Sequence, residues 1–331
     1  MNPVKKILIF EYITGGGLAG QSLPDTLIAE AELMLQALVT DLVDLPELEI
    51  TVLRDARLQL LDAPVENLLI NNAVDQNYFW HEALTKTDAV WVIAPETNGV
   101  LETLCREVEA AGVFLLNSSA EAIALTASKS QTAKWLMEHD IPVVENQKTG
   151  LLPSHWVAKP DDGVGCEDIH LFSDQQIAAS WLETKTDGRE WVLQPWLEGE
   201  QLSFSLLCQQ GEALILSVNR QHLVAQEGRL KLTACEVNAL EILPEFCQLA
   251  KQITKAIPGL WGYAGIDLLL TENGPVVVEI NPRLTTSYVG LSKALDLNPA
   301  AMILSLLNQP IREMTVKNRS KCVRVDIADA A

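Results

Sequence analysis

Gly265-Ile266-Asp267-Leu268-Leu269-Leu270-Thr271-Glu272-Asn273-Gly274-Pro275-Val276-Val277-Val278-Glu279-Ile280-Asn281-Pro282-Arg283 reads as two apolar strands joined by a tight polar turn. Strand side chains point alternately to opposite faces. A three-residue loop, Glu272 to Gly274 with Gly274 left-handed, sets Asp267 opposite Glu279 and brings Asn281 to the same face. Ile266, Leu268, Leu270, Val276, Val278 and Ile280 then form an opposite face that is wholly apolar. One face packs while the other gathers oxygen ligands. Such ligands suit magnesium or manganese, which take one or two carboxylates and complete their shell with water and phosphate oxygens. A plain hairpin with its polar side in water fits the same residues.

Working back along the chain, Trp156-Val157-Ala158-Lys159-Pro160 is a strand ending in lysine, followed by Asp161-Asp162-Gly163-Val164-Gly165-Cys166. Gly163 and Gly165 let the backbone approach a ligand and expose N–H donors, which suits a cover over phosphates, although a simple β-turn needs glycines as well. Val192-Leu193-Gln194-Pro195-Trp196-Leu197-Glu198-Gly199-Glu200 is an apolar strand breaking into a polar turn. A purine edge against backbone at Gln194 to Leu197, a ring face on Trp196 or Leu197, and ribose hydroxyls on Glu200 is one reading. A core strand entering a hairpin is the other. Lys129 precedes a helix, and Arg220 and His222 follow a strand.

Residues 5–116 alternate strand-like and helix-like stretches. Lys6 to Glu11 leads into Gly15-Gly16-Gly17, a helical period runs from Asp25, and Glu49–Leu53, Asp88–Ala94 and Val113–Leu116 read as strands around a helix near Val100–Ala111. This rhythm predicts an open parallel sheet. Glu11 and Glu96 fall after such strands, where open α/β sheets bind ligands. From residue 117 short helices give way to hairpin strands, an α+β pattern, with helices near Asp174–Thr184, Pro244–Ile257 and Ala300–Leu307. The expected division is 1–116, 117–200, 201–310 and a tail, 311–331.

Composition narrows the function. The 331 residues are 48% apolar and 21% charged, without an apolar run long enough to span a bilayer. The apolar stretch at Ile7 is too short for a signal peptide, so a cytoplasmic location is expected. A net charge of −20 repels polyanions, which argues against nucleic acid, while a few cations with divalent metal can still focus positive potential on a small anion. The six cysteines lack metal-ligand spacing and read as reduced, buried thiols. The spacing after Gly15 does not complete the G-x-G-x-x-G of a nicotinamide dehydrogenase.

The order of these features resembles the ATP-grasp superfamily across residues 117–295, and the stretch ahead of it is similar to the Rossmann-like domain that precedes the ATP-binding part in those enzymes. The resemblance implies that Lys129 and Lys159 hold ATP phosphates beneath residues 161–166, and that Gln194, Trp196, Leu197 and Glu200 hold the nucleoside. Asp267, Glu279 and Asn281 are implied ligands of two Mg2+ or Mn2+ ions. Gly265 stands where D-alanine ligases have a catalytic arginine, so that role is expected of Arg283 or Arg220. The implied chemistry is ADP-forming ligation of a carboxylate and an amine through an acyl phosphate. Phe10-Glu11-Tyr12-Ile13-Thr14-Gly15-Gly16-Gly17-Leu18 is similar to the opening of the ATP-grasp ligases of methanofuran biosynthesis, which implies L-glutamate, activated at its γ-carboxylate, and tyramine or tyrosine. Glu11, Glu96, Thr286 and Tyr288 are the residues considered for those substrates, and Thr285 and Ser287 stand in the same stretch just beyond Arg283, within reach of the same pocket. Small molecules are the expected partners, homodimer formation is left open, and a non-catalytic nucleotide-binding regulator is the rival to an enzyme.

Overall fold

A computed structural model describes residues 4–144, 155–165, 168–186, 188–226, 228–317 and 321–327. Its first layer is a parallel sheet of β1 (Lys6–Glu11), β2 (Glu49–Asp55), β3 (Glu66–Ile70), β4 (Ala89–Ile93) and β5 (Phe114–Leu115), in the order β3-β2-β1-β4-β5. Three of the four crossovers are helical, through α1 (Asp25–Val43), α2 (Ala73–Leu84) and α3 (Val100–Ala110), while β2 and β3 are joined by a loop without a helix. The central strands β1 and β4 are almost wholly buried, as apolar runs covered on both faces must be. This is the open parallel sheet that the alternation predicts.

After α4 (Ala120–Ala127) and α5 (Lys129–Glu138) comes a largely antiparallel region. It comprises β6 (Trp156–Pro160), β7 (His170–Phe172), α6 (Gln175–Glu183), β8 (Trp191–Pro195), β9 (Glu200–Gln209), β10 (Glu212–Gln226) and β11 (Arg229–Leu240). It continues through α7 (Pro244–Ala256), β12 (Gly262–Thr271), β13 (Gly274–Asn281), α8 (Tyr288–Leu295), α9 (Pro299–Ser305) and β14 (Val323–Asp326). The strands join in the order β13-β12-β9-β10-β11-β7-β6-β8, with β14 also on β11.

Several elements were not expected from the sequence. β3 is an edge strand that keeps Leu69 exposed, so its alternation is weak. α2 buries only Trp80, Ala83 and Leu84, and starts where the Asn72 side chain accepts from the Val74 and Asp75 amides. β10 runs on to Gln226, placing Arg220 and His222 within a strand rather than after one. The segment after Pro310 supplies β14, whose Val323 and Val325 pair with Val237 and Cys235.

One apolar core ties the layers together. Ile7, Ile9, Val52 and Trp91 of the parallel sheet pack with Leu35 and Leu38 of α1, with Leu291 and Leu295 of α8, and with Leu207, Val237 and Tyr263 of the antiparallel sheet. This core holds the parallel sheet and α1 together with α8 and the antiparallel sheet. Cys105, Cys208 and Cys235 are buried free thiols, whereas Cys322 is exposed and Cys247 half-buried, so burial does not extend to every cysteine; Cys166 lies outside the described residues.

Candidate active site

The β12–β13 hairpin is built differently from the simple expectation. Thr271 pairs with Gly274, so the loop proper is Glu272 and Asn273, with Gly274 at φ +110°. Leu268 pairs with Val277, yet Asp267 pairs with Glu279, because Val278 is an extra, unpaired residue in β13. The bulge restores the carboxylate pair that a three-residue loop would have produced. It also corrects the apolar face. Val277 joins Ile266, Leu268 and Ile280 in the core, while Val276 and Val278 pack instead with Leu269, Val144 and Leu197 on the other side.

Asp267, Glu279 and Asn281 line one open cleft together with Lys159 and Arg283. Asp267 accepts from Gln221 Nε2 at 2.9 Å and from Asn281 Nδ2 at 3.3 Å. Burial, followed by the charge of Glu279, pushes its carboxyl well above the ordinary range. Glu279 moves the other way. Burial alone would raise it, but Lys129 and Lys159 outweigh that and hold it below its usual value. Lys129 Nζ lies 3.4 Å from Glu279 Oε2. One cation-backed carboxylate thus sits beside one whose charge is uncompensated, an arrangement that a divalent cation would relieve.

Lys129 is placed by its helix start. Ser128 caps α5, and Asp161 accepts from the Ser130 amide at 2.8 Å and from the Ser128 hydroxyl, pinning the turn after β6 to the first residues of α5. Lys129 Nζ also donates to the Gly163 carbonyl. Asp162 in turn accepts from the Asn98 amide at 2.9 Å, and its carbonyl accepts from Thr97 Oγ1 at 3.0 Å. The glycine turn is therefore fastened to both halves of the molecule. Gly165 lines the cleft, and Cys166 of the same turn lies outside the described residues.

The far part of the cleft is apolar, with Val144, Val157, Leu197, Leu269 and Val278 around it and Gln194 buried among them. Trp196 also lines it, although its amide donates to the His155 carbonyl and its indole N–H to Glu198. The slot grades from apolar walls to the charged hairpin, as a ligand with a flat ring and a polyanionic tail requires.

Arg283 lies just beyond β13. Its Nε and Nη2 donate to Glu96 Oε2 at 3.0 and 2.9 Å, and its Nη1 to the Leu284 carbonyl. Three of its five N–H donors are so engaged, and the other two have no partner among the described residues. Gly265 faces Thr285, where an added Cβ would stand 2.6 Å from Thr285 Cγ2. No arginine fits at position 265 without moving Thr285.

Other expected residues are not brought into the cleft. Glu11 is buried within its own turn, accepting from the Thr14 amide and hydroxyl, both at 2.6 Å, and from the Ile13 amide. Tyr288 begins α8 and turns into the core, where its hydroxyl donates to Asp41 at 2.7 Å. Arg220 is spent on Glu200 at 2.6 Å and Glu236 at 3.0 Å, and neither Arg220 nor Glu200 lines the cleft. Thr286 does line it. Thr285 and Ser287, from the same stretch beyond Arg283, line it too, as do Gln221 and Glu30, which were not expected as site residues. Gln221 had a signal, lying one residue beyond Arg220; Glu30 had none, because nothing local distinguishes it from other acids of α1.

The donor set is two carboxylates and an amide, and no cluster of three or more His, Cys, Asp or Glu suited to a metal occurs among the described residues. That set fits a hard divalent ion that completes its shell with phosphate oxygens. An ATP-grasp domain model matches residues 126–287, and a pre-ATP-grasp domain model matches residues 48–123. The chain is 27% identical to the tyramine–L-glutamate ligase of Methanocaldococcus jannaschii, across 98% of this chain and 95% of that one. It is 28% identical to the tyramine–L-glutamate ligase of Methanocaldococcus fervens, across 95% of this chain and 98% of that one. A solved structure of an ATP-grasp superfamily protein from Archaeoglobus fulgidus superposes with a TM-score of 0.69 at 23% identity, over 98% of this chain and all of that one. The leading parallel sheet and the antiparallel sheet behind it agree with these matches: the chain belongs to the ATP-grasp superfamily and is an ADP-forming ligase by class.

Proposed function

We propose that the protein joins the γ-carboxylate of L-glutamate to an amine such as tyramine or tyrosine, in the biosynthesis of a methanofuran-type cofactor. The observation that carries this is the convergence of Lys159, Asp267, Glu279 and Arg283 on one cleft in a chain that aligns, nearly end to end, with two tyramine–L-glutamate ligases.

In this reading the apolar slot takes the adenine, and Lys129 and Lys159 hold the phosphates of ATP. Asp267, Glu279 and Asn281 would hold two Mg2+ or Mn2+ ions, which would supply positive charge against the phosphate oxygens during transfer. A carboxylate oxygen of glutamate attacks the γ-phosphorus, ADP departs, and an acyl phosphate forms. The amine nitrogen then attacks the acyl carbon, loses a proton, and phosphate leaves. The two unengaged donors of Arg283 orient the carboxylate and then meet the oxyanion, where a fixed donor contributes about 3–4 kcal/mol by analogy with oxyanion holes. The turn at 161–165 shields the acyl phosphate from water.

The test is ADP release with Mg2+ and ATP, comparing L-glutamate alone with L-glutamate plus tyramine, tyrosine or a second glutamate, and weighing the product. Amine-dependent ADP formation with a product of the summed mass less water supports the proposal. ATP binding without turnover across that panel withdraws it.

A further inference from the structure

Three acids of α1 and of the loop after β4 are unevenly neutralised. Glu96 is matched by Arg283. Glu32, on α1, is matched by Arg54 at 2.5 Å, a side chain only 4% exposed. Glu30, also on α1, lines the cleft and among the described residues accepts only from the Thr286 hydroxyl, at 2.8 Å. Among the described residues no lysine, arginine or histidine pairs with it.

Glu30 is half-buried and Thr286 nearly fully so, which sets their hydrogen bond into the wall of the cleft rather than on open surface. A carboxylate in that position has lost part of its hydration without an ion-pair partner among the described residues. It shares the lining of the cleft with Arg283 and Glu279. A ligand whose carboxylate rests on Arg283 would therefore find a second, negative anchor close by. That pair of signs matches a molecule carrying both a carboxylate and a primary ammonium, or an amine bound beside the carboxylate.

We infer that Glu30 holds the protonated amine of a substrate and so selects for ligands that carry a primary ammonium, an assignment that rests on the ligase reading above. Thr286 is then a positioning residue, fixing the Glu30 carboxylate through its hydroxyl. The ammonium has two sources, the α-ammonium of the amino-acid donor and the amine acceptor.

The experiment uses the full chain as wild type, Glu30→Gln and Glu30→Asp, each checked for an unchanged circular dichroism spectrum and melting temperature. Calorimetric binding of L-glutamate, glutarate and tyramine to the protein with Mg2+ and ADP is measured beside KM and kcat. Glu30→Gln is expected to weaken one amino ligand about 10- to 100-fold, the worth of a charged hydrogen bond, with KM for ATP unchanged and partial recovery in Glu30→Asp. Weakened L-glutamate, with wild-type preference over glutarate lost, assigns the α-ammonium. Weakened tyramine assigns the acceptor. Equal binding of both amino ligands by wild type and Glu30→Gln overturns the inference whatever the turnover. Wild type that binds an amino ligand but forms no amide overturns the ligase reading alone, and wild type that binds neither ligand overturns both.

Discussion

Arg283 and Glu96 are 187 residues apart in sequence, yet two guanidinium nitrogens of one approach a single carboxylate oxygen of the other at 3.0 and 2.9 Å. Both side chains are nearly enclosed, at 11% and 5% exposure. Glu96 Oε1 is buried with no hydrogen-bond partner among the described residues. The pair joins the parallel sheet to the hairpin, so that the arginine next to the carboxylate cluster is aimed by a residue from the other half of the molecule.

Removing one partner should therefore cost more than removing both. Arg283→Ala strands a buried carboxylate and is expected to destabilise the fold by about 3–5 kcal/mol, while the double variant Arg283→Ala, Glu96→Gln should recover much of that loss. Activity should stay low in both. Urea denaturation and ADP release check the two halves of this expectation, and a double variant no more stable than the single one would contradict it.

Glu279 is expected to be indispensable to turnover but not to folding. Glu279→Gln keeps the shape of the hairpin and removes the carboxylate paired with Asp267 and approached by Lys129. ADP formation should fall by about 1,000-fold, at the upper end of what one electrostatic group in a closed site contributes. Chelation of divalent ions should stop the wild type in the same way, with recovery on adding Mg2+ or Mn2+. Substantial turnover by the variant would remove the metal assignment.

Stability should depend on Glu11 across mildly acidic pH. Burial, against opposing hydrogen bonds from Thr14 and Ile13, pushes its carboxyl up to about 7. The folded state thus binds a proton more tightly than the unfolded chain, so this contribution is full below pH 4.5 and is lost as pH rises through 7. The wild type should lose about 3 kcal/mol more than Glu11→Gln between those limits, from the size of the shift. Denaturant midpoints measured across that range check this; parallel profiles would count against it.

Gly265 is predicted to tolerate no side chain. Its Cβ would press on Thr285, whose hydroxyl contacts that of Tyr263 at 3.0 Å. Gly265→Ala should cost about 1–3 kcal/mol by overpacking and raise substrate KM through displacement of Thr285. Thermal melting and KM in parallel would show whether the two effects occur together.

Much of the architecture was legible in the residues. Apolar runs at Ile7–Phe10 and Ala89–Ile93 have the composition of doubly covered strands, and alternation within the hairpin already separates a polar from an apolar face. Asp267, Glu279, Asn281, Lys159 and Arg283 carry local signatures, because each stands in a strand or directly beyond one. What escaped was whatever depends on exposure or on partners distant in sequence. β3 and α2 bury too few residues to impose a clear period. The bulge at Val278 was hidden because Val276, Val277 and Val278 are identical, and identical residues cannot mark which of them leaves the ladder.

The sequence by itself determined the two sheet types, their order and the chemistry available at the hairpin, since those follow from periodicity and residue type over short spans. Only the tertiary structure decided which charges meet. It gave Arg283 to Glu96, sent Arg220 to Glu200 and Glu236, and turned Tyr288 to Asp41 and away from the cleft. It left Glu30 facing the cleft with a hydroxyl for company. Pairings of this kind act through space, over distances that bear no relation to separation along the chain, and are fixed only when a shared apolar core brings both elements together.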